Sequence, residues 1–308
     1  MTHLVNVLIC GIVKNVEDMI ERNIECAMTI GEQCKNYKIL LYESDSTDNT
    51  KTILANICQK NPHISVTLDT TNKTRENSDS WAYTEITGSD HPCRVETICH
   101  ARNYIVHQIN NTIYDEYDVV IWIDFDAQSF DTNGIVKSIK MVHENQIVLF
   151  ANSRPYYDYY ALRCRSYDHL FGPEILGEPF WSTINNELEF DSADDSDEML
   201  FEVYSAFNGI GVYPKTAFNN NKYECIVNSQ IEKVYKTLIK KHGYMGFETI
   251  MKNECSKFPK CYKDADNLCW KTNSGYDNVV ICEHVAFHFL LYNEGYKMYI
   301  NPNMIFTR

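Results

Sequence analysis

Asp124 and Asp126 flank Phe125 at the end of the most hydrophobic run in the first half of the chain, Tyr117-Asp118-Val119-Val120-Ile121-Trp122-Ile123. Residues i and i+2 of a strand share a face, so the two carboxylates converge. Adjacent acids repel unless a cation lies between them, and oxygen ligands suit Mn2+ or Mg2+. A solvated strand end would look the same. The position favours a site, because open α/β sheets bind ligands just past the carboxyl ends of their strands. Glu43 and Asp45 follow a second apolar run, Lys38 to Tyr42, at the equivalent end. Asp45 or Ser46 is suited to capping the next helix. Glu43 is as well placed to cap as to accept hydrogen bonds from a base or ribose hydroxyls.

Several other residue sets carry chemistry. Arg94 and Arg102 are eight apart, about two helical turns, so they project from one side of a helix that also carries Asn103. Two cations beside a carboxylate site can neutralise a diphosphate, although either arginine alone is as readily a surface ion pair. His284 and His288, with Glu283, interrupt one apolar segment. Burying them idle is costly, which favours a site for at least one. Tyr157, Tyr159, Tyr160 and Trp181 offer faces that stack on sugar rings or simply pack, with Asp158 and Arg163 as hydroxyl partners. Asn208-Gly209 inside an apolar run suggests a bulge or a close backbone approach to a ligand. Cys255, Cys261, Cys269 and Cys282 lack C-x-x-C spacing, so a zinc site is disfavoured.

The elements that must position these groups alternate. Strand patterns at Val5–Cys10, Lys38–Tyr42, Ile64–Leu68, Tyr117–Ile123 and Ile147–Ala151 are separated by helical patterns near Glu17–Ile30, after Thr50, at Arg94–Ile109 and at Asn133–Glu144. This predicts an α/β fold with a mainly parallel sheet and helices on both faces. The polar stretch Thr70–Pro92, with Trp81 and Tyr83, reads as a functional or mobile loop, and Asp191–Glu198 as a solvated acidic loop. The second half is less regular: Glu202–Tyr213 reads as an interrupted strand, Lys252–Ser274 as polar, and Val279–Phe289 as apolar but punctuated.

The chain has 308 residues and 28 Lys+Arg against 42 Asp+Glu, a formal net charge of −14. That balance argues against a nucleic-acid partner and requires a cation or local arginines for any phosphate ligand. No run approaches the roughly 18 apolar residues of a membrane span. No signal peptide is visible, and the 12 cysteines form no compact framework. The expectation is a cytoplasmic protein.

The motifs occur in a telling order. Val7-Leu8-Ile9-Cys10-Gly11-Ile12-Val13-Lys14-Asn15 opens the chain, and Tyr42-Glu43-Ser44-Asp45-Ser46-Thr47-Asp48-Asn49-Thr50 follows. His100-Ala101-Arg102-Asn103 precedes Val120 to Asp126. Tyr160-Ala161-Leu162-Arg163, Phe207-Asn208-Gly209-Ile210 and Cys282-Glu283-His284 come later. From about Val5 to Pro302 this resembles the GT-A class of nucleotide-sugar glycosyltransferases, and more closely the cryptococcal capsule-type α-1,3-mannosyltransferase group. The resemblance implies a single GT-A-like domain over residues 1–308, with a nucleotide-sugar-binding half (1–130) followed by an acceptor half (131–308). It implies that Val13, Asn15, Glu43 and Asp45 line the nucleoside site, that Arg102, with Arg94, faces the diphosphate, and that Asp124 and Asp126 hold Mn2+ or Mg2+. His284 would be a further metal or phosphate ligand, with His288 as its substitute. Asp158, Arg163, Asn208 and Gly209 would sit near the transferred sugar and acceptor; Glu283 is the candidate base of an inverting reaction, whereas the capsule-type resemblance implies retention.

The expected reaction is metal-dependent hexosyl transfer from a UDP- or GDP-sugar to an acceptor hydroxyl, on a glycan, protein or lipid. Rival readings are a sugar nucleotidyltransferase and a non-catalytic nucleotide- or carbohydrate-binding protein. The first would carry a Gly-rich basic loop after the first strand, where Gly11 to Asn15 has one glycine.

Overall fold

The computed structural model describes residues 5–69, 94–165, 169–177, 179–182, 188–190, 199–242, 270 and 278–308. Trp81, Tyr83, the acidic loop at 191–198, and Cys255, Cys261 and Cys269 lie outside the described residues.

Strand β1 (Asn6–Val13) pairs in parallel with both β2 (Asn36–Glu43) and β4 (Val119–Ile123), and β2 pairs in parallel with β3 (Ile64–Leu68). Side-chain alternation divides these strands between two cores. Val7, Ile9, Ile39, Leu41, Ile121 and Ile123 pack on one face, with Ile20, Ile24 and Ala27 of α1 (Ile20–Gly31) and Ile135 and Ile139 of α4 (Thr132–Asn145). Leu8, Cys10, Leu40, Tyr42, Val120 and Trp122 pack on the other. There they meet α3 (Arg94–Ile109), α7 (Ser229–His242) and α8 (Glu283–Asn293). The central strands read as continuous apolar runs because both faces are covered. The remaining α-helices among the described residues are α2 (Thr50–Lys60) and the single turns α5 (Pro173–Leu176) and α6 (Pro179–Ser182).

Beyond β4 the sheet changes sense. Strand β8 (Ile210–Pro214) inserts antiparallel between β4 and β6 (Val148–Asn152), and β9 (Met298–Thr307) continues in parallel with β6. Short strands β5 (Ser129–Phe130) and β7 (Phe201–Val203) pair antiparallel with β9. The interrupted strand expected over Glu202–Tyr213 is therefore two strands in different parts of the sheet. The punctuated segment after Val279 becomes α8, with Glu283 and His284 in its first turn.

This arrangement gathers the carboxyl ends of β1, β2, β3 and β4 beside the start of antiparallel β8. Asp124 N donates to Gly209 O at 2.8 Å, which fastens the two halves at that edge. Three of the non-glycine residues with left-handed backbone, Asn15 (φ 53), Asp45 (φ 54) and Asn208 (φ 53), lie at these strand ends. Such conformations are sparsely populated and collect at functional sites.

Gly209 has φ +84, and a Cβ there would stand 2.5 Å from the Phe306 ring. Gly209→Ala is expected to cost roughly 2–4 kcal/mol of stability by urea denaturation, from backbone strain and overpacking together. His169 lies against Tyr159 and Phe180, and burial, with the Arg163 guanidinium second, pushes its pKa down to about 4. The unfolded chain takes up that proton near pH 6.5 and the folded chain does not. Stability from this group is therefore full above pH 6.5 and is lost as pH falls toward 4, on the order of 3 kcal/mol. His169→Phe should make the acid arm of the stability–pH curve measurably shallower.

Candidate active site

The Asp124-Phe125-Asp126 turn is held from beneath. Phe125 is buried and its ring occupies the space that a side chain on Gly11 would take, 2.5 Å from an ideal Cβ there. Asn23 of α1, itself buried, donates from Nδ2 to both Phe125 O and Ala127 O at 2.9 Å, and Arg22 donates to Ala127 O at 2.8 Å. With the phenyl ring pinned inward, the flanking carboxylates open outward, with side chains 30% and 42% exposed for Asp124 and Asp126. Sequence reading missed Asn23. A lone Asn among the apolar positions of α1 was the available signal.

Each carboxylate has its own arginine. Arg102 NH2 lies 3.7 Å from Asp124 Oδ1, and its Nε lies 3.3 Å from Glu283 Oε1. The Arg102 guanidinium is buried among the rings of Phe207, Trp122 and Tyr223, 4.9, 5.1 and 5.6 Å from their centroids. Arg308 NH2 lies 3.5 Å from Asp126 Oδ2. Burial, only partly offset by Arg102, pushes the Asp124 carboxyl up to about 7, and Asp126, Asp158 and Glu283 add to the rise. Glu283 is raised by burial and lowered in part by Arg102. Asp158 is likewise raised by burial, against bonds from the backbone N–H of Asn208 (3.1 Å) and Ala161 (3.3 Å). Among the described residues, four carboxyls therefore share this cleft with two guanidiniums, a charge deficit that a divalent cation matches.

The expected nucleoside edge is drawn together by backbone bonds. Asn15 Oδ1 accepts from Thr47 N and Asn15 N donates to Ser46 Oγ, both at 2.8 Å, while Val13 O accepts from Ser44 N at 2.8 Å. Glu43 is fully buried. Its Oε1 accepts from Ser46 N, and its Oε2 has no hydrogen-bond partner among the described residues. The N-cap position is Asn49, which makes no side-chain cap bond; Asp48 before it accepts from Thr50 N at 3.0 Å, whereas Asp45 pairs with Lys51. Ser46 is bound to Asn15 instead of capping.

Other expected residues do not converge. Arg94 is exposed at the start of α3 while Arg102 is buried, so only the latter reaches the acidic cluster. Arg163 has no donor left for an acceptor: it forks onto Glu174 at 2.8 and 2.9 Å, donates to Tyr235 OH, and holds Tyr160 O and Leu162 O. It braces the segment that carries Asp158. Asn208, fully buried, gives its amide to Ser153 Oγ at 2.9 Å. His288, the substitute ligand, has Nδ1 on Ser205 Oγ (2.9 Å) and Nε2 on Tyr213 OH (3.0 Å), a satisfied core histidine.

His284 is different. It is buried, stacked 3.9 Å from Phe207 and 3.6 Å from Glu283 Oε1, yet neither ring nitrogen has a hydrogen-bond partner among the described residues. Burial, then Arg102 and His288, push it well below the usual histidine range, so it is neutral. The carboxylates are oxygen donors that suit Mn2+ or Mg2+, and the neutral imidazole beside them adds a nitrogen donor better matched to a transition ion than to Mg2+. Among the described residues no three such side chains yet converge on one point.

Acidic groups gathered past the carboxyl ends of the strands of an open α/β sheet form a ligand-binding architecture. The chain belongs to the cryptococcal mannosyltransferase 1 family, whose pattern matches residues 7–269. No curated protein sequence matches it. Among solved structures, GalNAc-T7 with UDP, GalNAc and Mn2+ aligns over 99% of this chain and 44% of that one, at 9% identity and TM-score 0.50, which supports the GT-A-like fold. A mannosyltransferase from Pyrobaculum calidifontis, in complex with GDP-Man and Mn2+, aligns over 48% and 36% of the two chains at 14% identity and TM-score 0.34. Mannosyl-3-phosphoglycerate synthase from Rubrobacter xylanophilus aligns over 78% and 63%, at 16% identity and TM-score 0.38. The chain thus spans less than two thirds of the length of these structures. No described helix is long and apolar enough to cross a membrane, and the described cysteines are free thiols.

Arg102→Met should destabilise the protein by roughly 3–5 kcal/mol in urea denaturation, because it leaves Asp124 and Glu283 facing each other without a cation. Adding Glu283→Gln should recover part of that loss.

Proposed function

We propose that this protein transfers a hexosyl group from a UDP- or GDP-sugar to an acceptor hydroxyl with the help of Mn2+ or Mg2+. The family's description makes mannose the first sugar to test. The observation that carries the reading is the cleft at the end of β4, where, among the described residues, Asp124, Asp126, Asp158 and Glu283 outnumber two arginines beside His284, whose ring nitrogens have no hydrogen-bond partner.

Asp124 and Asp126 would hold the metal, with His284 as the nearest nitrogen donor. Bound there, a divalent ion supplies Lewis-acid stabilisation to the departing nucleoside diphosphate. The chain's own residues do the rest. Arg102 keeps Asp124 and Glu283 from repelling one another and adds a fixed positive charge beneath the diphosphate. The buried Glu43, with one unmatched oxygen, faces the nucleoside edge and suits a donor group on the base or ribose. Asp158 is oriented toward the transferred sugar by the Asn208 and Ala161 N–H groups. The acceptor oxygen attacks the anomeric carbon, the bond from that carbon to the phosphate oxygen breaks, and the acceptor's proton passes to a carboxylate. Glu283, whose carboxyl burial raises above the usual range against the pull of Arg102, is better matched to that role than an ordinary surface acid. The acceptor is a glycan, protein or lipid hydroxyl, and the compartment we propose is the cytoplasm.

GDP or UDP should raise the melting temperature only when Mn2+ or Mg2+ is present, since only a ligand bound to the native state stabilises it. The Asp126→Ala variant should lose that shift. Equal shifts with and without metal, or a shift retained in the variant, would remove the basis for this function.

A further inference from the structure

The two arginines of the cleft differ in freedom. Arg102 is boxed in by aromatic rings and by two acids. Arg308 is 54% exposed, and its guanidinium lies 5.5 Å from the Tyr157 ring centroid while it touches Asp126. The base from which it projects is rigid. Tyr157 stacks on Phe306 of β9, Thr307 O accepts from Gln128 N at 2.9 Å, and Ile305 O accepts from Asp131 N at 2.9 Å. The strand that carries Arg308 is thereby tied to the loop that follows Asp126. The side chain can swing while its anchor stays fixed.

A guanidinium and a divalent ion compete for the same carboxylate oxygen. We propose that Arg308 is an exchangeable counter-ion: it occupies Asp126 in the ligand-free protein and, when a metal takes Asp126, turns on the Tyr157 face to bind the diphosphate of the incoming nucleotide. A planar fork suits paired phosphate oxygens, and in a chain of net charge −14 a movable cation at the cleft mouth has few substitutes. The identity of the anion rests on the function proposed above; the competition for Asp126 does not.

The test uses the full chain and calorimetric titration of Mn2+ alone, then of GDP and of UDP at saturating Mn2+, for wild type, Arg308→Ala and Arg308→Lys. Arg308→Ala should bind Mn2+ about two- to fivefold tighter, the scale of one exposed ion pair removed. It should bind the nucleotide about tenfold weaker, the scale of one hydrogen-bonded charge lost. Arg308→Lys should restore the competition with Mn2+ but only part of the nucleotide affinity. Because Arg308 is exposed, the unliganded melting temperature should stay within about 2 °C of wild type. Unchanged constants, a loss of both affinities together, or tighter Mn2+ with undiminished nucleotide binding would each overturn the exchange. If wild type binds neither nucleotide in a metal-dependent way, the function fails instead, while the Mn2+ titration still decides whether Arg308 guards Asp126.

Discussion

Arg102 carries a permanent charge into a socket of three aromatic rings, and that burial is tolerable only because Asp124 and Glu283 stand within ion-pair reach. The arrangement couples three distant parts of the chain: the middle of α3, the end of β4 and the first turn of α8. Each acid would be unwelcome in that interior without the cation, and the cation without the acids. The positions of Asp124 and Glu283 relative to α3 are therefore fixed by the fold itself.

Around that centre the structure separates what is rigid from what is open. Phe125, Gly11 and Asn23 lock the turn from below, and Arg163 with Glu174 and Tyr235 braces the Asp158 segment from the side. Among the described residues, the buried polar atoms without hydrogen-bond partners include Glu43 Oε2 and both nitrogens of His284 at the carboxyl edge of the sheet, as well as others away from it such as Asn6 Oδ1. Buried polar atoms without partners are uncommon in a well-folded interior, and at a cleft they are places a ligand can satisfy.

Much of this was legible in the sequence. The first five strands expected, and the helices between them, rest on apolar runs and 3.6-residue patterns that tertiary packing reinforced on both faces. Asp124 and Asp126 were visible because a hydrophobic strand delivers them to the carboxyl edge. What escaped was everything decided by partners far away in sequence. Arg163 and His288 read as ligand candidates because their residue types are chemically able, yet Glu174 and Tyr235 absorb one, and Ser205 and Tyr213 the other. Arg94 and Arg102 share a helix side but not a depth, since only one lies under the rings of Phe207 and Tyr223. Strand β9 has a pattern too diluted by Asn301, Pro302 and Asn303 to announce itself, although it pairs with β5, β6 and β7.

The reversed strand β8 has a consequence for how the polypeptide reaches this state. Its two neighbours, β4 and β6, are already synthesised when it emerges, and β9 must still arrive from the far end of the sequence before β6 is covered. A nascent chain that has made only its parallel portion therefore shows the ribosome's surroundings a raw margin of Val119, Val120, Ile121 and Trp122, with its amides and carbonyls unclaimed. Margins of that kind invite association with other chains. Insertion of β8 conceals that flank and brings Gly209 against Asp124, while the cleft still waits for Glu283 and His284 of α8.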